Sequence, residues 1–241
     1  MIWLAAGLLL GLAADPATLA ITSGPCNGRA VTVRMTNDGP APVYADAVLA
    51  ASPGLHLPRR LISTWLPPGY TRSVPVMVSA AVGTRAGVYH VRVSGGGRRI
   101  DVPVTVTAPA PDAALVRLAA RVTASSARAS GGVCAAIDGD PGTMWNDATG
   151  RRWPDRWQLA WDRPHRVGLV RVVTTARGGL RDWDVQVAVP AGWETVAAVR
   201  GNTAVEVTST FAARRATAVR IVTLAGNGAG DQSRLAEVVI R

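Results

Sequence analysis

The chain has 241 residues and a net charge of +10, and every one of its 26 basic residues is Arg. The absence of Lys excludes a P-loop lysine, a Schiff-base lysine and a Ser-Lys dyad. With 48% apolar residues, 25 Gly and 16 Pro, the composition suits an all-β globular protein and argues against disorder.

In chain order, "MIWLAAGLLLGLAADP" opens with an apolar run, Ile2 to Leu12, that has the length of a signal-peptide core and ends on the small residues Ala13 and Ala14. Residues 1–14 are therefore expected to be a leader and the protein to be secreted. A buried first strand is the competing reading. No later run reaches membrane-spanning length, so no transmembrane segment is expected.

Strand signals then follow at sandwich spacing. In "RAVTVRMTN", Val31, Val33 and Met35 share one face, and Ala30, Thr32, Arg34 and Thr36 share the other. "NDGPAP" reads as a turn, and "VYADAVLAA" resumes the extended chain. "LPPGYTRSVPVMVSA" puts a Pro-Pro-Gly turn before a strand with Val74, Val76 and Val78 on one side. "AGVYHVRVS" and "RRIDVPVTVT" complete this half. "TAPAPDA" (107–113) is a Pro/Ala spacer, with 109–113 as the linker proper.

Beyond it six of the eight Trp appear, among seven further strand signals: "RWQLAW", "VGLVRVVTT", "RDWDVQVAV", "GWETVAAV", "AVEVTSTF", "ATAVRIVTL" and "SRLAEVVIR". Weak helical periodicity is confined to "DAALVRLAARV". The fold class expected is all-β, two sandwiches in series, the second a jelly roll. Cys26 and Cys134 lie one in each half; a bridge and two separate buried thiols both remain open.

Charge and motif content narrow the function. Residues 1–109 hold 9 Arg against 4 acidic residues and residues 110–241 hold 17 against 12, so the basic excess is even and not gathered into a stripe. That describes a solvated surface, and nucleic acid is not an expected partner. The chain has no GxSxG, HExxH or CxxC, and His56, His90 and His165 are scattered. It is read as a non-enzyme.

The informative stretch is "AAIDGDPGTMWND" (135–147). Asp138 and Asp140 sit on one Gly/Pro-bent loop, a poor place for a glycosidase acid pair, which must flank a substrate bond. The loop suits a hard cation that wants oxygens from carboxylates, a hydroxyl and carbonyls. It is not an EF-hand, since Thr149 stands where the twelfth-position Glu would be. The alternative is a turn whose acids cap the backbone, and Asp147 reads as a solvated loop residue.

Two resemblances attach to these motifs. Residues 17–108 resemble the small immunoglobulin-like domains associated with bacterial α-galactosidases (the NEW3 type), through "VTVRMTNDGPAPV", "LPPG" and "AGVYHVRV". The pair Gly87 and Tyr89 resembles the tyrosine corner of such sandwiches. Residues 114–241 resemble the discoidin, or F5/8 type C, domain through "AAIDGDPGTMW", "RWPDRWQLAW", "VGLVRVV", "LRDWDVQVAV", "WETVAAVRGNT", "ATAVRIV" and "SRLAEVVI". The second resemblance implies a structural Ca2+ held by the side chains of Asp138, Asp140 and Thr143 and the carboxylate of Glu237. The carbonyls of Ala135, Thr143 and Ala236 would complete the shell.

It also implies a carbohydrate ligand at the loop rim, where Arg151, Arg152, Trp153, Asp155 and Arg177 cluster and Asn227 and Asp231 add polar groups. Each of these rim residues has a structural alternative as a core, solvated or turn-shaping residue, and no aromatic lies in 225–233 for stacking. The function expected is that of a secreted, non-catalytic carbohydrate-binding protein. The alternatives are an accessory part of a glycoside hydrolase whose catalytic domain is lost or separately encoded, or adhesion to protein or anionic lipid surfaces.

Overall fold

The computed structural model describes residues 10–110, 113–129, 132–150, 152–228 and 232–241. The fold is all-β, with no α-helix among the described residues. The strands are β1 (Leu10–Asp15), β2 (Leu19–Thr22), β3 (Gly24–Asn37), β4 (Val43–Ala51), β5 (Leu55–His56), β6 (Leu61–Leu66), β7 (Thr71–Ala80), β8 (Gly87–Gly95) and β9 (Arg98–Thr107). They continue as β10 (Arg121–Ala124), β11 (Trp145–Asn146), β12 (Asp155–Val173), β13 (Leu180–Val189), β14 (Gly192–Val199), β15 (Glu206–Gly226), β16 (Arg234–Leu235) and β17 (Glu237–Ile240). The chain divides into two compact units: β1 to β9 without Gly24–Cys26 form the first, and Gly24–Cys26 with Pro109–Arg241 form the second.

The first unit is a sandwich of a four-stranded sheet, β1-β3-β7-β5, and a five-stranded sheet, β2-β9-β8-β4-β6. The period-two pattern that builds it is plain in β3 and β7, where Val31, Val33, Met35, Val76 and Val78 are fully buried and their neighbours face out. The tyrosine corner is present: the Tyr89 hydroxyl donates to the Arg85 carbonyl, and Val91 is buried two residues on.

The described part of the expected leader, Leu10–Ala14, lies in β1. It pairs antiparallel with β3 and buries Leu10 and Leu12, because their alternation with Gly11 and Ala13 suits an edge strand. Residues 1–9 lie outside the described residues.

In the second unit, four of the strand signals fuse into two long strands. β12 takes in both "RWQLAW" and "VGLVRVV", and β15 both "EVTSTF" and "ATAVRIVTL". Their ladder is interrupted between Ala160 and His165 and again between Val167 and Leu169. Across the second break the buried positions of β12 change parity, from Trp157, Leu159, Trp161 and Val167 to Val170 and Val172. A bulge does this by inserting an unpaired residue.

The first half of β12 belongs to the run β10-β12-β15-β13-β14, and its second half pairs β17. Both halves feed one core, which also takes Val185, Val187, Val238 and Ile240, so the two portions face each other as a sandwich. The weakly helical segment "DAALVRLAARV" is instead a 3-10 turn, Leu115–Leu118, followed by β10. Its apolar residues are too few to bury a helical stripe, and only Val116 of the turn is buried. Cys26 and Cys134 form a disulfide across a sequence separation of 108.

Candidate functional site

A 3-10 turn, Val133–Ala136, leads into the 137–143 loop, whose geometry follows from its short polar side chains. Asp138 Oδ1 accepts the Asp140 N–H at 2.9 Å, and Asp140 Oδ1 accepts the Gly142 N–H at 2.8 Å. Both acids thus cap the backbone, as Asx turns do. Gly139, at φ +86°, takes the left-handed conformation between them.

The Thr143 hydroxyl reaches Asp138 Oδ2 at 2.6 Å, the Asp140 carbonyl at 3.1 Å and the Ala135 carbonyl at 3.4 Å. The Gly139 N–H donates to Glu237 Oε2 at 3.2 Å, joining the loop to β17 across 98 residues. Ala236, immediately before, is buried and held by its N–H on the Val173 carbonyl.

Four of the six residues singled out in sequence are therefore linked by hydrogen bonds; Glu237 joins them through the Gly139 N–H, and Ala236 adjoins Glu237. The sequence reading missed Arg117. Its guanidinium donates to the Asp138 carbonyl at 3.0 Å, and its charge acts on Glu237. Glu237 is pushed above its ordinary pKa by burial and by the Asp138 charge; the Gly139 N–H, Arg117 and Arg171 oppose that shift.

Every donor present is an oxygen, which fits a hard cation. Among the described residues no three acidic, histidine or cysteine side chains converge. An ion here would therefore draw on hydroxyl and carbonyl oxygens as well as carboxylates.

A second polar centre lies at the rim. Asp147, expected at the surface, is fully buried: Ser233 N–H donates to its Oδ1 at 2.6 Å, while the N–H groups of Thr149 and Gly150 and the Thr149 hydroxyl donate to its Oδ2. Asp155 is only 2% exposed, and it takes hydroxyls from Ser125, Thr149 and Ser233. Its carboxyl is held above its ordinary pKa, chiefly by burial. Asp155 is thus corrected from a sugar contact to an internal brace that fastens 125, 149 and 233 to the head of β12.

Asn227 is likewise occupied: its amide donates to the Asn202 carbonyl at 2.6 Å, and its N–H to that of Gly179 at 2.7 Å. It shapes the turn, the structural alternative open in sequence. Arg151 and Asp231 lie outside the described residues.

Arg152 and Arg177 are exposed, and Trp153 is half-buried against the core of the second unit. Arg234, which sequence reasoning did not single out, shapes the same end. Its Nη1 donates to the carbonyls of Arg177 and Gly178 at 3.2 and 3.3 Å. A Cβ on Gly178 would stand 2.6 Å from that Nη1, so only glycine leaves the guanidinium its place. Beside it in the β11–β16 ladder, the buried Asn146 Oδ1 has no hydrogen-bond partner among the described residues. Arg152 and Arg177 thus face solvent, while Trp153 is partly covered by the core.

No protein-family model and no curated protein matches the sequence. Similar solved structures include chitosan-binding module 1 of a chitosanase/glucanase from Paenibacillus sp. IK-5, 23% identical over 54% of this chain and 98% of that one, with a TM-score of 0.48. Chitosan-binding module 2 of the same enzyme, in complex with chitotriose, is 21% identical over 50% of this chain and 94% of that one, with a TM-score of 0.45. The family 32 carbohydrate-binding module of Clostridium perfringens NanJ, in complex with galactose, is 18% identical over 50% and 91%, with a TM-score of 0.43.

Proposed function

We propose that this chain is a secreted, non-catalytic carbohydrate-binding protein whose second sandwich holds a glycan at its rim and a structural Ca2+ at the 135–143 loop. One observation carries the reading. The loop acids and Glu237, far apart in sequence and singled out together from it, meet through the Gly139 N–H and the Thr143 hydroxyl.

Asp138, Asp140, Thr143 and Glu237, with the carbonyls of Ala135 and Ala236, would hold the ion. It would neutralise the crowded carboxylates and pin the loop to the last strand. Arg152 and Arg177 supply donors for hydroxyls, and the exposed part of Trp153 supplies a face for the sugar ring. Among the described residues of the 149–157 and 174–180 loops no large apolar residue has high exposure, which disfavours lipid insertion.

Melting in Ca2+ and in chelator tests the ion: the midpoint is expected to rise with Ca2+ and Glu237→Gln to abolish the rise. Equal midpoints would remove the site. A glycan panel that includes chitotriose and galactose tests the rim. Retention that Trp153→Ala abolishes is expected; retention on no glycan would end the carbohydrate reading. Hydrolysis of any panel glycan by the chain itself would overturn the non-catalytic reading. For secretion, protein recovered from the medium is sequenced from its N-terminus, and a start beyond Ala14 would mean that β1 is lost on export.

A further inference from the structure

Away from both centres, the break in β12 opens a cleft lined by Arg163, Pro164, His165, Arg166 and Arg215. Its origin is local. Residues 161–164 oppose the single residue Thr217, because Ala160 pairs with Ala218 and His165 with Ala216. Pro164 has no N–H to lose from the ladder, so the bulge tolerates it. The His165 ring lies 5.3 Å from that of Trp161, whose own ring is buried.

Where the ladder resumes, Arg166 stands directly opposite Arg215. Like charges in that register repel, and no ion pair among the described residues offsets them. The guanidinium groups of Arg163, Arg166 and Arg215 make no hydrogen bond or ion pair with any described residue. Their neighbour Arg214 shows the contrast, since Glu194 engages it through both carboxylate oxygens, the shortest contact being 2.8 Å. Asp162, the nearest acid in sequence, does not line the cleft. His165 is held below its ordinary pKa by burial and the Arg163 charge, so the positive charge of the cleft comes from the arginines.

We propose that this cleft is a second binding site, for the carboxylate or sulfate groups of an acidic polysaccharide. Guanidinium forks suit such groups, since each can give two parallel N–H bonds to a carboxylate or sulfate. An anion between Arg166 and Arg215 turns their repulsion into a shared contact. The arginines are exposed at an open corner, which suits substituents along a chain better than a small buried ligand. A membrane is disfavoured because none of the exposed large apolar residues lines the cleft.

The test is affinity electrophoresis of the full chain at about 0.15 M salt, where long-range charge effects are screened. Polygalacturonate and a neutral glucan are the ligands, and Arg166→Gln/Arg215→Gln and the charge-matched Arg98→Gln/Arg99→Gln are the variants. Exposed substitutions of this kind leave the fold intact. The cleft variant is expected to bind polygalacturonate about tenfold more weakly, two exposed ion pairs' worth, and the control within about twofold of wild type. Arg166→Lys/Arg215→Lys should fall between them, keeping charge but losing the fork.

Equal weakening in both glutamine variants would reduce the effect to net charge and overturn the site, as would cleft-independent binding. Loss of binding to phosphatidylserine vesicles in the cleft variant, with polygalacturonate binding unchanged, would assign the cleft to a membrane instead. A response to inorganic sulfate with none to polygalacturonate would overturn the polysaccharide. Trp153→Ala separates this site from the rim: it is expected to spare polygalacturonate binding even if the rim reading fails.

Discussion

The two sandwiches bury their apolar surface with different side chains. The buried residues of the first core include no aromatic ring: Tyr89 packs against it only partly buried, and Tyr44, Trp65 and Tyr70 are turned to the outside. The second core holds Trp145, Trp157, Trp161 and Trp183, and two carboxylates, Asp147 and Asp155, are buried in the same unit.

The hydrogen bonds of three of those indoles explain the difference; the buried Trp183 Nε1 has no partner among the described residues. Trp145 donates to the Ser126 carbonyl, Trp157 to that of Val133 and Trp161 to that of Leu115. All three acceptors lie in the segment 115–133, which has little strand ladder of its own. In the first unit alternation largely fixes the chain, because most of its described residues are in strands. In the second, ring burial carries the energy and the N–H groups fasten irregular segments to the core. Those segments lead directly into the proposed cation loop.

The largest expected effect follows from that fastening. Trp157→Ala should cost about 3–5 kcal/mol, the range for removing a buried aromatic. Trp157→Phe should cost less and still loosen 132–143, because the Val133 carbonyl loses its donor. Denaturation gives the first quantity and hydrogen exchange the second. Leu49→Ala in the first core should cost about 2–4 kcal/mol with no change in exchange at 132–143. If the Phe variant exchanges there like wild type, the indole N–H is not what holds the segment.

Next comes the disulfide, which joins the same segment to Cys26. Closing a span of 108 residues restricts the unfolded chain, and losing such a tie costs about 2–4 kcal/mol. Cys26→Ser/Cys134→Ser should lower the unfolding free energy from urea titration by that amount. It should also raise exchange around 133–136, which would place the tie and the Trp157 anchor on one element. A midpoint equal to that of wild type would leave the indoles alone responsible.

How much of this could be read in advance differs between the units for the same reason. Val31, Val33 and Met35 announce their face because a strand repeats every second residue, and Tyr89 announces its corner through local spacing. The meeting of Glu237 with Asp138 was legible only through a resemblance, since no local rule links residues so far apart. For Asp147 a signal existed: Asp-x-Thr-Gly is the spacing of an Asx turn, and Thr149 and Gly150 bond to it accordingly. Its burial depends on Ser233, 86 residues away, which sequence does not reveal. Asp155 gave no warning, because its three hydroxyl partners come from three separate loops. The fusion of strand signals into β12 and β15 was hidden too, since the bulges that bend them interrupt the alternation.

Asp155 supplies the third test of the contrast, because the first core has no buried carboxylate to compare. Asp155→Ala leaves three hydroxyls without their acceptor and should cost about 1–3 kcal/mol. Its pH dependence has a definite sign. The folded pKa lies above 3.8, so in the window between them the native state keeps a proton that the unfolded chain has released. Stability from this group therefore falls as pH rises from about 3.8 through the raised value, and is flat above it. Against Asp155→Asn, which does not titrate, wild type should lose ground over that window. A difference independent of pH would mean that the hydroxyls, not burial, set the titration.

The smallest effect is expected at the outward aromatics of the first unit. Tyr44 and Trp65 are cross-strand partners in the β4–β6 ladder, with ring centroids 4.8 Å apart, and are 77% and 48% exposed. Such a pair is worth about 0.5–1 kcal/mol beyond its area. Tyr44→Thr keeps a side chain suited to strands and removes only the ring contact, so the unfolding free energy should fall by no more than that. The paired variant Trp65→Thr, and the double variant, close a cycle that isolates the coupling between the rings. A coupling near zero would mean that each ring sits on its own strand without its partner's help. A cost rivalling that of Trp157→Ala would mean that the first unit, too, leans on its aromatics, and the contrast between an alternation-built and a tryptophan-fastened sandwich would fail.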